Sequence, residues 1–517
     1  MTLTYEILKD KILGCWNGKN AGGVLGAPYE ECPRMTHDVK FYAQDLHGNP
    51  PGNDDVDLQL VFLNAVEKFG KRTDSHILAD YWLSHIIPNW SEYGLAKRNL
   101  RSGILPPLSG YLNNPYKDSN GAWIRTELWA CMAPGHPDVA VRYAYEDAIV
   151  DHADEGVYST VFTAALESAA FVESDIKKLI EIALTYIPED CLTAKAVRLV
   201  MDAHSAGKSW KEARAALFRE YPGTFGVTYV KYNELSSEFP NGDPGMDAPN
   251  SMGIVTIGLL YGEGDFAKAI CTTVNCGEDT DCTAATVGAI YGIVMGCAAL
   301  PEEWLEPLDG VINTCCVDLA TNIPLPHTTE ELTDRVVRCI PVMLDRKYVN
   351  FELGGVSVEA LDRLECPPTY EYIPHISGNK KDKSLSVGEL VALSPFSVRY
   401  ETESLGVILD YVSEPYIALG ETKTLKLTVW DMNLFNTPGE WAEVRIYADP
   451  GVALPEGGVV SAPLMSTYKT RTVIDVPVTL ESATVPKVNV VFDISVVGRS
   501  SNVTLKATLF PGKHKTV

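Results

Sequence analysis

Two acidic runs stand directly ahead of apolar stretches. The first is Gly52-Asn-Asp-Asp-Val-Asp-Leu-Gln59 and the second is Val274-Asn-Cys-Gly-Glu-Asp-Thr-Asp-Cys-Thr283. Acids in a first helical turn cap free N–H groups and answer the helix dipole, and Asn53 or Asp54 as N-cap is a sufficient structural reading of the first run. Capping explains the second run less well, because Glu278, Asp279 and Asp281 precede a helix of small residues that must be buried. Carboxylates at the start of a buried helix are costly unless something neutralises them. Oxygen ligands without Cys or His partners at useful spacing suit a hard cation: Mg²⁺, with Mn²⁺ or Ca²⁺ as alternatives. If the two helix starts converge, their carboxylates face one another and one or two cations belong between them. No Cys-x-x-Cys pair or Cys/His cluster points to zinc. No Ser/His/Asp or Cys/His pattern in the right context argues for a covalent intermediate. The run Gly14-Cys-Trp-Asn-Gly-Lys-Asn20 is one residue too short for a P-loop and lacks its hydroxyl, so that reading is rejected.

The elements that must carry these residues divide by period. Up to about residue 345 the pattern is helical. Residues 56–66 set Leu58, Val61, Phe62, Ala65 and Val66 on one stripe, while 158–171 and 283–297 are apolar and rich in Ala or Gly, as in helices deep in a bundle. Residues 346–385 read as irregular, with 377–383 as a linker. After that the period drops to two, and 422–430, 443–447, 487–495 and 502–509 read as strands of an antiparallel β-sandwich. The expectation is a multidomain α + β chain: an all-α domain over 1–345, a linker over 346–385 and a β-sandwich accessory domain over 386–517.

At 517 residues, 46% hydrophobic and 21% charged, the chain has the size and composition of a globular protein of more than one domain. Its net charge of −25 argues against nucleic acid or an anionic membrane as partner, though a small anionic substrate needs only a local basic pocket. No apolar run reaches the roughly 18 residues of a membrane span, and the N-terminal stretch, with acids inside it, lacks the form of a signal peptide. The 12 cysteines lie at irregular spacings, mostly inside apolar helical patterns. They read as reduced core thiols, which predicts a cytoplasmic protein.

Several segments then occur in a telling order: Ile12-Leu-Gly-Cys-Trp16, Gly22-Gly-Val-Leu-Gly-Ala-Pro-Tyr-Glu30, Asn53-Asp-Asp55, Gly121-Ala-Trp-Ile-Arg125, Asp151-His152, Ala248-Pro-Asn-Ser251 and Val274-Asn-Cys-Gly-Glu-Asp-Thr-Asp281. With these, from about Lys11 to Trp304, the chain resembles the ADP-ribosylglycohydrolase family. The resemblance implies an all-α domain with a magnesium site, usually binuclear, at the mouth of a central cleft. It implies Asn53, Asp54, Asp55, Asp279, Asp281 and Cys282 as the metal set. Asn53 and Cys282 stand where the family has hydroxyl residues, and a protonated thiol is a poor magnesium ligand. Glu30 falls on the glutamate that the family places near the anomeric carbon. Arg125 and His152 match the substrate side, with Asp151 replacing the usual Thr, and Gly121 and Gly277 could offer backbone N–H groups to a diphosphate.

The function implied is metal-dependent hydrolysis of the glycosidic bond at C1 of an ADP-ribosyl unit. Chelated ribose hydroxyls would fix the ring, Glu30 would move the proton, and Asp55 and Asp279 would support the positively charged transition state. The substrate is then a small molecule or an ADP-ribosylated protein. Two other readings stay open: a glycosidase or nucleosidase for a diphosphate-free furanosyl compound, and a non-catalytic ADP-ribose binder. The β half is expected to cover the helical domain or to build a homo-oligomer interface, with a sugar-binding face as the alternative.

Overall fold

The computed structural model describes residues 1–30, 36–222, 246–352, 354–367, 384–402, 404–432, 440–454, 458–464, 471–500 and 502–513. The predicted linker at 377–383 lies outside these residues. The described chain forms two compact units, one of Met1–Lys97 with Asn113–Pro367, the other of Arg98–Leu112 with Pro368–Val517.

The first unit is helical and is organised by two helices, Tyr5–Gly26 and Thr280–Met295. Glycines recur every fourth residue on the first, at 14, 18, 22 and 26, and so form one face. They meet Gly292, Gly288, Ala284 and Thr280 in reverse order. The helices are therefore antiparallel, with backbones closer than ordinary side chains permit. A Cβ on Gly18 would lie 2.1 Å from the Gly288 carbonyl oxygen, and one on Gly22 would lie 2.0 Å from that of Ala284. This contact brings the end of one helix, just before Glu30, against the start of the other, just after Asp279.

The Asp54–Phe69 helix begins at Asn53, whose side chain accepts from the Asp55 N–H at 2.8 Å, and ends at Gly70, in the left-handed region at φ +58. The predicted stripe of Leu58, Val61, Phe62, Ala65 and Val66 is buried, but so is every other residue from Asp55 to Val66. The helix is central rather than amphipathic, so its polar residues must find partners inside the protein. Val349–Glu352 and Gly355–Glu359 form a hairpin that pairs with Thr2–Leu3, in a region whose sequence reads as irregular. Strands of four or five residues carry too little alternation to be read.

The second unit is a β-sandwich. One five-stranded sheet has the order Val459–Leu464, Glu440–Ala448, Val488–Val496, Asn502–Pro511, Tyr416–Ile417. The other runs Ser397–Glu401, Leu405–Asp410, Thr422–Asp431, Thr472–Leu480, Val452–Ala453. All pairings are antiparallel except the short one between Tyr416–Ile417 and Asn502–Pro511. Alternate residues such as Leu425, Leu427, Val429, Val490, Phe492 and Ile494 fill one shared core, as the period of two predicts. That core also takes in Ile104, Leu108 and Leu112 from the Arg98–Leu112 segment.

Candidate active site

The two acidic helix starts do converge. Cys282 Sγ lies 3.2 Å from Asp55 Oδ1, across 227 residues of sequence. Ligand atoms of Asp279, Asp281 and Cys282 all lie within 4.8 Å of one another. Asp279 is the N-cap of its helix: Oδ1 accepts from the Cys282 N–H, and Oδ2 accepts from Asn120 Nδ2. Tyr93 hydroxyl donates to Asp54 Oδ2 at 3.4 Å.

Charge accumulates here without enough partners. Asp55 Oδ2 and Asp281 Oδ1 are buried with no hydrogen-bond partner among the described residues. Burial, with Asp281 adding to it, pushes the Asp54 carboxyl up to about 6. Burial likewise holds the Asp279 carboxyl well above the usual range, and the nearby charges of Asp281 and Glu30 raise it further. That dependence puts half-buried Glu30 within electrostatic reach of Asp279. Burial also raises the Cys282 thiol, which neighbouring Asp279 and Asp281 keep protonated. Unsatisfied carboxylate oxygens and mutually raised carboxyls are what a hard divalent cation would relieve. Asp54, Asp55, Asp279 and Asp281 fit such an ion. Cys282 fits poorly, and the amide oxygen of Asn53 already serves as a helix cap.

One partner went unread in the sequence. Lys19 is fully buried, with its ammonium 2.8 Å from Glu127 Oε1, 2.6 Å from the Ile124 carbonyl oxygen and 3.7 Å from Asp55 Oδ2. Burial alone would favour the neutral amine, but Glu127 and Asp55 outweigh it and raise the lysine above its ordinary value. Gln59 ties the group together, donating to Glu127 Oε2 and the Asp55 carbonyl and accepting from the Leu128 N–H. The available signal was a lysine inside a run of small residues on a buried helix, which the P-loop comparison set aside.

Arg125 and His152 belong to one buried network. The Arg125 guanidinium reaches Asp147 at 2.9 Å and Asp151 at 2.7 Å, with no exposed side-chain surface. Burial would raise the Asp151 carboxyl, but Arg125 and His152 together hold it below its usual value. Ser119 Oγ lies 2.9 Å from His152 Nε2, whose Nδ1 lies 2.9 Å from Asp151. The order is that of a Ser-His-Asp triad, yet all three residues are buried and Arg125 holds the aspartate, so the arrangement has the form of a scaffold. Gly121 makes room for it: a Cβ there would lie 2.2 Å from Glu92 Oε1. The Gly277 N–H is spent on the Val274 carbonyl. Trp123 and Trp129 are core residues, the latter donating to Asp147.

A helical unit with converging acidic helix starts has the makings of a metal-assisted hydrolase. The ADP-ribosylglycohydrolase family model matches residues 4–339, more than half of the chain, and the chain belongs to that family. It is accordingly a glycosyl hydrolase of a family that acts on ADP-ribose-type substrates and is generally metal-dependent. A solved structure described as an ADP-ribosylglycohydrolase-related protein complex shares 21% identity, covering 65% of this chain and 99% of that one, with a TM-score of 0.43. No curated protein matches the chain. Among the described residues no helix is long and apolar enough to cross a membrane.

Proposed function

We propose that the chain hydrolyses the C1 glycosidic bond of an ADP-ribosyl unit with the help of a divalent cation, Mg²⁺ by the hardness of the ligands. The observation that carries this reading is the meeting of Asp54 and Asp55 with Asp279 and Asp281 beside Glu30, with buried carboxylate oxygens that lack hydrogen-bond partners among the described residues. When bound, the ion supplies a Lewis acid that orients vicinal hydroxyls and water.

The protein's own residues do the rest. Asp54, Asp55, Asp279 and Asp281 hold the ion, and their surplus negative charge favours the oxocarbenium-like transition state over the neutral substrate. Lys19 opposes the burial that, with Asp281 and Asp54, holds the Asp55 carboxyl well above its ordinary value, and so eases its ionisation. Asn120 and Tyr93 fix the ligand rotamers by donating to Asp279 and Asp54. Glu30 transfers the proton, to the leaving atom or from the attacking water.

Product release from mono-ADP-ribosylated protein, O-acetyl-ADP-ribose, nucleosides and aryl ribofuranosides, with EDTA or added Mg²⁺, tests the proposal. Metal-dependent release of ADP-ribose is expected. Glu30→Gln should lose about 10²–10⁴-fold in rate, the usual contribution of a proton-transfer group, and Asp281→Ala should lose metal dependence and activity together. Turnover of diphosphate-free furanosides at equal rates would change the substrate class. Binding without turnover of any substrate would sink the enzymatic reading.

A further inference from the structure

A second cluster is built on Asp57, in the first turn of the Asp54–Phe69 helix, and takes no part in the chemistry above. Asp57 Oδ2 accepts from the N–H groups of both Cys315 and Cys316 at 2.6 Å. This double contact anchors two adjacent cysteines to the carboxylate. Their sulfurs lie 3.6 Å apart, and with a carboxylate oxygen of Asp57 they fall within 4.8 Å of one another. Asp57 has no exposed surface, and its Oδ1 is buried without a hydrogen-bond partner among the described residues.

We propose that Asp57, Cys315 and Cys316 form a metal site distinct from the carboxylate cluster, selective for a thiophilic divalent cation of the Zn²⁺ or Cd²⁺ type. Zn–S bonds of about 2.3 Å in a tetrahedron set two sulfurs about 3.8 Å apart, close to the separation found here. A buried carboxylate oxygen left without a donor costs free energy, and an ion beside it recovers that cost. Thiolates select against Mg²⁺ and Ca²⁺, so the two sites sort metals by softness. Cys315 is exposed and Cys316 is buried, which leaves one open side for entry and for water to complete the shell. The backbone around the pair is held, since the Cys316 carbonyl accepts from the Ile87 N–H at 2.9 Å and the Asp318 N–H donates to His85 at 2.7 Å. On binding, each thiol releases its proton to water. Two thiolates, one carboxylate and the dication then leave one net negative charge.

The test uses the whole 517-residue chain, reduced, in excess Mg²⁺. Cd²⁺ is titrated while thiolate-to-metal charge-transfer absorbance is followed, and Zn²⁺ stoichiometry is read by competition with a chromophoric chelator. One ion per chain with the intensity of two thiolates is expected. Cys315→Ser should halve that intensity and weaken binding by about tenfold or more, the range for losing a ligand or its support. Asp57→Asn should weaken binding with the intensity unchanged, and Cys282→Ser should leave the signal in place. Alkylation of Cys315 in the unmutated protein, followed by mass spectrometry, gives a second readout that no folding defect can mimic, and Zn²⁺ should slow it. Absence of the band, an unchanged signal in Cys315→Ser, loss of the signal in Cys282→Ser, or alkylation indifferent to Zn²⁺ would each overturn the proposal.

Discussion

Lys19 is a whole positive charge with no exposed surface, spanning Glu127 and Asp55. Replacing it with methionine keeps the volume but leaves two buried carboxylates short of a cation. Breaking one side of a buried ion pair costs about 3–5 kcal/mol. Urea unfolding of Lys19→Met should show a loss of that order without metal and a smaller one in saturating Mg²⁺, because the added ion restores positive charge near Asp55. Equal losses in both conditions would mean that Lys19 and the added ion do not compete for the charge of Asp55. The proton competes for the same oxygens. With the Asp54 carboxyl pushed up to about 6, a proton occupies it below that pH and must leave before an ion binds. Metal affinity should therefore fall by about tenfold per pH unit below about 6 from Asp54 alone, and the raised Asp55 and Asp279 carboxyls should extend the fall above that pH. The metal-free protein should behave in the opposite sense. A carboxyl raised on folding adds stability below its unfolded value, and that stability is lost as pH rises through about 6. Calorimetric titrations and thermal melts across that range, with and without Mg²⁺, check both slopes.

The glycine face between the Tyr5–Gly26 and Thr280–Met295 helices decides where Glu30 and Asp279 end up. A Cβ at Gly18 or Gly22 meets backbone carbonyl atoms, which cannot rotate away as a side chain would. Gly18→Ala and Gly22→Ala should each destabilise the protein by about 1–3 kcal/mol or more, the range for overpacking. Both should also lower activity, because the helices can separate only by moving Glu30 away from Asp279. Gly388→Ala, in a short helix with no atom within 4 Å of the added carbon, is the matched control. There the substitution should be neutral or slightly stabilising, since alanine has the better helix propensity. Melting temperatures and specific activity of the three variants separate close packing from a general intolerance of substitution at glycine.

Across the whole molecule, the segment Arg98–Leu112 belongs with the sandwich although it sits in the helical part of the sequence. Ile104, Leu108 and Leu112 are buried in the β core, and Thr508 Oγ1 donates to the Gly103 carbonyl. Each such side chain contributes about 1.5–3 kcal/mol when fully buried. A chain ending at Pro367 should therefore expose this segment. Limited trypsin digestion should cut at Arg98 and Arg101 in the shortened chain but not in the full one, and a hydrophobic dye should bind only the former. Equal resistance in both would show that the segment has other cover.

What the amino-acid order settles by itself is local: where the period is 3.6 and where it is two, which helix starts are overloaded with acid, and which small residues permit a close approach. Asp279 and Asp281 were legible for that reason, because an acidic first turn before a buried helix is a local contradiction, whereas Asp54 and Asp55, which capping explains, were legible only through the family resemblance. The stripe at Leu58 and Val61 was legible in kind but not in extent, since burial on every face depends on neighbours distant in sequence. Lys19, Asn120, Tyr93 and the Asp57–Cys315–Cys316 cluster were not legible. A lysine or a pair of adjacent cysteines has no sequence signature when its partner lies roughly 35 to 260 residues away. Tertiary packing sets those partners side by side: Lys19 against Asp55, Tyr93 against Asp54, Asn120 against Asp279, and Cys315 and Cys316 against Asp57. Coulomb energy and desolvation depend on distance in space, and chain order does not carry that distance.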